Sequence, residues 1–369
     1  MKENALRQKE FIEILLKKIQ EKIERINYTP KIMEVCGTHT MTVHKFGLRK
    51  LLTDSGIKML SGPGCPVCVT PNEIVEAAID LLSSQENLVL ATFGDMTRVP
   101  TTKGSLLTTT PAKGSFKKII YSPEECLLLA RQNKNKEVVF FGVGFETTIP
   151  SIAFIIKKAH EEKIPNLSLL SGLWLIPPPL KSIVESKEIN LNGFLYPGHV
   201  STIIGKEPYE FIPNKYKIPG AITGFEPADI LLGINDILDQ ILENKPCVTI
   251  QYKRVVKPKG NQKARALIYE VFEKKDAHWR GLGLIPQSGL KLKKEFSQFD
   301  AEIRFNLKIK AQSKDLNGCR CGEVLKGIIS PSECPLFGKV CFPESPKGPC
   351  MVSFEGACLV YYKYSFKNE

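Results

Sequence analysis

Three cysteines fall early in the chain, where a thiolate would be useful. Cys65 and Cys68 lie in Gly62-Pro63-Gly64-Cys65-Pro66-Val67-Cys68-Val69, after the apolar run Ile57 to Leu60 and before Thr70-Pro71-Asn72-Glu73, which opens a helix. Amides at a helix N-terminus stabilise a thiolate, and the two-residue spacing suits either thiol–disulfide exchange or half of a tetrahedral metal site. The bland reading is two small buried residues. Cys36 also ends an apolar run and leads into Gly37-Thr38-His39-Thr40. Its thiolate can act as a nucleophile or as a soft metal ligand. Cys36 and His39 could instead complete a zinc set with Cys65 and Cys68, and spacing leaves that alternative open.

Six of the eleven cysteines crowd the C-terminus: Cys319, Cys321, Cys334, Cys341, Cys350 and Cys358. Pro335, Gly338, Pro343, Pro346, Gly348, Pro349 and Gly356 fill the gaps and fold the segment around a point. Four thiolates from such a segment fit a [4Fe–4S] cluster or a zinc ion. Zinc sites usually carry two close Cys-x-x-Cys knuckles, which these longer gaps lack, so iron–sulfur is favoured. Spacing alone does not say which two thiols are spare. Cys126 and Cys247 read as inert core residues.

The elements that position these groups follow an α/β alternation. Strands are expected at 31–35, 57–60, 88–92, 118–121, 138–143, 167–175, 193–195, 221–223 and 248–252. Helices are expected at 40–52, 72–83, 123–132, 147–161, 180–187, 227–242 and 261–273. Such alternation implies right-handed βαβ units and mostly parallel sheets, with active sites at the carboxyl ends of the strands. Polar groups recur at those ends: Glu146, Thr147 and Thr148 after one strand, His199, Ser201 and Thr202 after another. His199 can shuttle a proton near neutral pH; singly, each of these residues also reads as a cap or a satisfied core group. Gly224-Phe225-Glu226 echoes Gly144-Phe145-Glu146 and hints at a duplication.

The fold class expected is therefore two similar parallel-sheet α/β domains, which the resemblance given below sets flanking a cleft, plus a smaller Cys-rich C-terminal α+β domain binding an iron–sulfur cluster. The division expected is an amphipathic helix at 1–30 (apolar positions Leu6 to Ile26), a first domain at 31–115 that could take in about 205–242, a second at 116–242, and a C-terminal domain at 243–369. With 43% apolar and 24% charged residues, the composition is that of an ordinary globular protein. Nothing reads as a membrane span or a signal peptide, and a cytoplasmic location is expected. Clustered cysteines in that compartment point to metal or redox chemistry. The net charge of +12 is spread along the chain without a nucleic-acid-binding signature, so no nucleic-acid partner is expected.

Several motifs in order make the chain resemble the HypD family of hydrogenase maturation proteins: Cys36 to Thr40, Gly62 to Cys68, Gly144 to Pro150, Pro197 to Gly205, Cys334 to Gly338 and Pro349 to Cys358. The resemblance implies a maturation scaffold for the Fe(CN)2CO unit of [NiFe]-hydrogenases, with no conventional diffusible substrate. It implies a HypC-like small chaperone and a HypE-like cyanide donor as partners, and the hydrogenase large subunit indirectly. Cys36 would hold the transient iron bearing CN and CO, and Cys65 and Cys68 would be a redox-active pair. Cys319, Cys334, Cys341 and Cys358 would hold the [4Fe–4S] cluster, leaving Cys321 and Cys350 spare. Glu146, Thr147, Thr148, His199, Ser201 and Thr202 would line the cleft near Cys36, Thr38 and His39. The alternative function is a stand-alone thiol–disulfide oxidoreductase with a structural zinc.

Overall fold

The computed structural model describes residues 7–186, 188–309 and 318–366. Its strands in chain order are β1 (Lys31–Glu34), β2 (Lys58–Ser61), β3 (Leu88–Thr92), β4 (Phe116–Ile119), β5 (Glu137–Gly144), β6 (Leu167–Leu173), β7 (Gly193–Pro197), β8 (Gly220–Thr223), β9 (Val248–Ile250), β10 (Phe272–Trp279) and β11 (Gly283–Leu292). They form two parallel sheets, β2-β1-β7-β8-β9 and β4-β3-β5-β6, and one antiparallel hairpin, β10-β11. The α/β class and the parallel sheets thus stand as expected. Helices on the sheet faces require strands buried on both sides, and β3 and β6 are buried at every position.

Membership of the sheets does not follow the order of the chain. After β1 and β2, the chain lays down all of the second sheet before β7, β8 and β9 return to the first. Each sheet reverses its order once, at β1/β7 and at β3/β5. A reversal opens a crevice beyond the carboxyl ends of the two strands. Cys36 and Gly198 lie at the first such crevice, Gly94 and Phe145-Glu146 at the second.

Helices form where the apolar period predicts them, with local corrections. The stretch expected as one helix over 40–52 is two, Gly37–Lys45 and Leu48–Asp54, because Gly47 takes a left-handed φ of 67°. The helix expected to end at 273 is Gln262–Val271, and the chain passes directly into β10. No strand is expected beyond 252, and the hairpin is new: its strands carry Lys, Asp and Glu among their apolar residues. The N-terminal helix is Lys9–Ile26, burying Leu15, Ile19 and Ile26; residues 1–6 of the stretch expected at 1–30 lie outside the described residues. Lys22 pairs with Asp239 (2.7 Å), which seats it beside Pro227–Leu242. Among the described residues, no helix is long and apolar enough to cross a membrane.

The largest buried core draws on both sheets, with Met33, Leu60, Phe194 and Tyr196 from one and Leu90, Val139, Phe141 and Leu170 from the other. Cys65, Cys68, Cys321 and Cys350 belong to that same core. Cys126 is buried as expected, but Cys247 is exposed, because it precedes β9 at the edge of its sheet.

Candidate functional site

Cys36 leaves β1 in extended conformation and caps the helix Gly37–Lys45. Burial pushes its thiol pKa up to about 12 and the Glu355 carboxylate adds to this, while the amides of His39 and Thr38 pull the other way. A cation at the sulfur would reverse that balance and draw off the proton. Two distant segments close on this residue. Gly37 donates its N–H to the Gly64 carbonyl (3.2 Å). A Cβ on Gly64 would overlap the Cys36 backbone, and one on Gly37 would overlap Glu355. Thr38 hydrogen-bonds the Glu355 carboxylate through its side chain.

Glu34 was not foreseen as part of the site. It ends β1 in register with Ser61 of β2 and is buried beneath Cys36. Its carboxylate accepts from the Thr40 hydroxyl (2.6 Å) and the Cys36 amide (3.4 Å). Burial raises its pKa to about 8. The only signal in the sequence was an acid inside the apolar run 32–35.

Cys65 and Cys68 form a disulfide with Cα atoms 5.3 Å apart. Pro66 sets the first turn of the short helix Pro66–Val69, and the Cys65 sulfur accepts the Cys68 N–H (3.2 Å). Both are buried, at 2% and 0% exposure. The four-residue zinc set with Cys36 and His39 is not formed here: His39 turns Nε2 to the Gly224 carbonyl (3.0 Å) and Thr223 Oγ1 (3.1 Å). Burial lowers the His39 pKa to about 4, so the ring is neutral, donates from Nε2 and keeps its lone pair on Nδ1. Phe225 lies between His39 (4.9 Å between centroids) and the exposed His199 (3.9 Å).

Glu146 follows β5, is buried, and accepts the Ile176 N–H on Oε1 (3.0 Å). Burial raises its pKa to about 7, and among the described residues Oε2 has no hydrogen-bond partner. Ser201 is buried and bonds the Pro197 carbonyl (2.7 Å) and the Tyr209 hydroxyl (3.4 Å). Tyr209, fully buried and unmarked in the sequence, has its phenol pKa raised by burial and then by Glu146, and also by Tyr196 and Cys36. Ser201 therefore meets Tyr209 directly, while Glu146 and Cys36 act on its hydroxyl only through their charge. Thr202 bonds the His199 carbonyl within its own helix (2.6 Å), Thr147 is exposed, and Thr148 precedes the helix Ile149–Glu161.

All six C-terminal cysteines line one cavity, together with Val324, Leu336, Phe337 and Met351. The Cys321 and Cys350 sulfurs are 2.6 Å apart and buried. Cys319 and Cys350 donate to Cys321, so their pKa values are pushed up and that of Cys321 down, helped by the Arg280 guanidinium. The Cys341 thiol is buried, feels the charges of Cys358 and Cys334, and accepts the Lys347 N–H (3.3 Å). Gly348 leaves room for the Cys319 sulfur. An apolar cavity lined by thiols with amide donors fits an iron–sulfur cluster, whose sulfurs are held by thiolates and tuned by such hydrogen bonds. Among the described residues, no three His, Cys, Asp or Glu side chains are grouped to hold a single metal ion.

Comparison with known proteins gives a consistent answer. The family model described as HypD, hydrogenase formation hypA family, matches residues 10–365. The hydrogenase maturation factor HypD of Rhodobacter capsulatus is 42% identical over 337 residues, 90% of this chain and 89% of that protein. HypD of Escherichia coli (strain K12) is 40% identical over 355 residues, 95% of this chain and 94% of the relative. HypD2 of Bradyrhizobium diazoefficiens is 40% identical over 341 residues, covering 90% and 89%.

Proposed function

The chain belongs to the HypD family and is a hydrogenase maturation factor, and from that premise we propose that it is an iron–sulfur scaffold and redox protein that assembles the Fe(CN)2CO group of [NiFe]-hydrogenases. It works with a HypC-like chaperone, receives cyanide from a HypE-like donor, and reaches the hydrogenase large subunit through them. The observation that carries this reading is the packing of Cys36 against the Gly62–Cys68 turn and Glu355, with six thiols around one neighbouring cavity.

Cys36 binds the iron being dressed, as substrate, and loses its proton in doing so. The amides of Thr38 and His39 support the resulting thiolate. Cys319, Cys334, Cys341 and Cys358 would hold a [4Fe–4S] cluster, a group that would supply electrons one at a time, leaving Cys321 and Cys350 as the spare pair. Cys65 and Cys68 are the redox switch, exchanging two electrons between dithiol and disulfide. A dithiol that acts on other proteins must present a sulfur to them. Cys65 and Cys68 are buried, which favours exchange within the chain over a free-standing oxidoreductase.

Anaerobic purification with metal and sulfide analysis tests the cluster: about four irons with sulfide and broad visible absorption are expected, whereas one zinc and no iron would sink the reading. Infrared spectra of the complex with the small chaperone test the scaffold. Cys36→Ala should lose the cyanide and carbonyl bands while keeping the visible absorption. Bands that persist in this variant would remove Cys36 from the iron.

A further inference from the structure

The turn at the tip of the β10–β11 hairpin touches both cysteine-bearing segments. The Arg280 amide donates to the Val69 carbonyl (2.8 Å), at the end of the helix that carries Cys68. Arg280 Nη1 donates to Asn72 Oδ1 (2.7 Å), at the start of the next helix, and the whole arginine is 2% exposed. Gly281 takes a φ of 76° and packs backbone on backbone against Gly322, the residue after Cys321; a Cβ on either would overlap the other. Behind the turn, Trp279 is buried against Trp174 (5.7 Å between centroids), whose Nε1–H donates to Thr70 Oγ1 (3.1 Å). Burial on this scale is unusual for arginine, and two contiguous residues thus fix the Cys65–Cys68 helix to the strand of chain holding Cys321.

We propose that the turn Trp279-Arg280-Gly281 is a positioning element that holds the Cys65–Cys68 pair in register with Cys321 and Cys350, so that thiol–disulfide exchange can pass between them. The inference rests on the redox-switch reading above. In the exchange, the Cys321 thiolate attacks one sulfur of the Cys65–Cys68 disulfide and the other sulfur leaves as a thiolate. Cys350 then attacks Cys321 in the mixed disulfide, closing Cys321–Cys350 and freeing the second thiolate. Two electrons move, the Cys321/Cys350 dithiol is the reductant, and the two protons it gives up are those the Cys65/Cys68 dithiol takes. Such an attack depends on alignment of three sulfurs, and a misplacement of about 1 Å in a reacting pair can cost as much as 10²-fold in rate.

The test uses the full-length, cluster-loaded protein without oxygen. The reduced fraction of Cys65 and Cys68 is followed by differential alkylation and mass spectrometry after a limiting pulse of reductant, with visible absorption recording cluster content. Asn72→Ala removes the Oδ1 that accepts from Arg280 Nη1, and Asn72→Asp keeps an acceptor there. Asn72→Ala should retain the absorption yet slow the appearance of reduced Cys65 and Cys68 by roughly tenfold or more, whereas Asn72→Asp should retain the unmodified rate. Gly322→Ala, which forces the turn away from Cys321, should slow it as well. An unmodified rate in Asn72→Ala, or equal slowing in Asn72→Ala and Asn72→Asp, overturns the positioning role. If the unmodified protein holds its cluster but never reduces Cys65 and Cys68, the redox-switch reading falls, and the positioning role with it.

Discussion

Gly64 lies backbone to backbone against Cys36, so close that a single methyl group on Gly64 would overlap the Cys36 amide nitrogen. The same approach lets Gly37 donate to the Gly64 carbonyl at 3.2 Å. The glycine before the Cys-x-x-Cys pair is therefore what allows the disulfide turn to rest on the thiol proposed to hold iron. Gly64→Ala should cost about 1–3 kcal/mol, the usual range for overpacking a tight site. Urea unfolding measures it, and a change well under about 0.5 kcal/mol would mean that the turn yields freely.

The cavity lined by six thiols makes an asymmetric prediction. Cys341 feels the charges of Cys358 and Cys334, whereas Cys350 is held 2.6 Å from Cys321 and reaches Cys358 as well. Cys341→Ser should abolish most of the broad visible absorption of the anaerobically prepared protein. Cys350→Ser should leave most of it. The reverse pattern would exchange the two residues between the ligand set and the spare pair.

Glu146 gives a pH dependence with a definite sign. Burial raises its pKa from 4.5 to about 7, so the folded chain binds this proton more tightly than the unfolded one. Its contribution to stability is fully present below pH 4.5 and is lost as pH rises through 7. The whole change is on the order of 3 kcal/mol. Glu146→Gln cannot ionise and should make the stability profile less steep between about pH 5 and about pH 8, where Glu34 also titrates. Urea midpoints across that range decide; a profile as steep as that of the unmodified protein would place the titration elsewhere.

Asp229 is fully buried beside Gly224, and Arg254 grips both of its oxygens, Oδ1 at 2.8 Å from Nη1. Asp229 also completes the capping box at the start of Pro227–Leu242. Removing one partner of a buried pair leaves an uncompensated charge, at a cost of about 3–5 kcal/mol. Arg254 is itself 37% exposed, so Arg254→Met should fall near about 3 kcal/mol. Because Gly224 and Phe225 carry the contacts to His39, the variant should also shift the His39 ring resonances in NMR spectra.

What the sequence determined was local. Apolar periods marked most helices and strands, because a helix or a doubly buried strand must repeat its apolar positions wherever it lies in the chain. Proline and glycine around Cys65 and Cys68 marked a turn, and polar residues after strands marked the edge where sites collect. Those signals are written in neighbouring residues and survive without the fold. The tertiary structure decided what meets what. Hydrogen-bond ladders such as Ile32 to Gly193 bring β7 beside β1 and leave β3 in the other sheet; no short-range pattern encodes that choice. The β10–β11 hairpin, Arg280 at its tip and Tyr209 stacked on Tyr196 carried no local mark, since their burial comes from packing that no short stretch of sequence shows. Glu355 reaches Gly37, and Arg280 reaches Val69, only after the sheets have formed. The thiols were legible one by one; their arrangement belongs to the packed core, because contact there is set by shared burial and not by spacing along the chain.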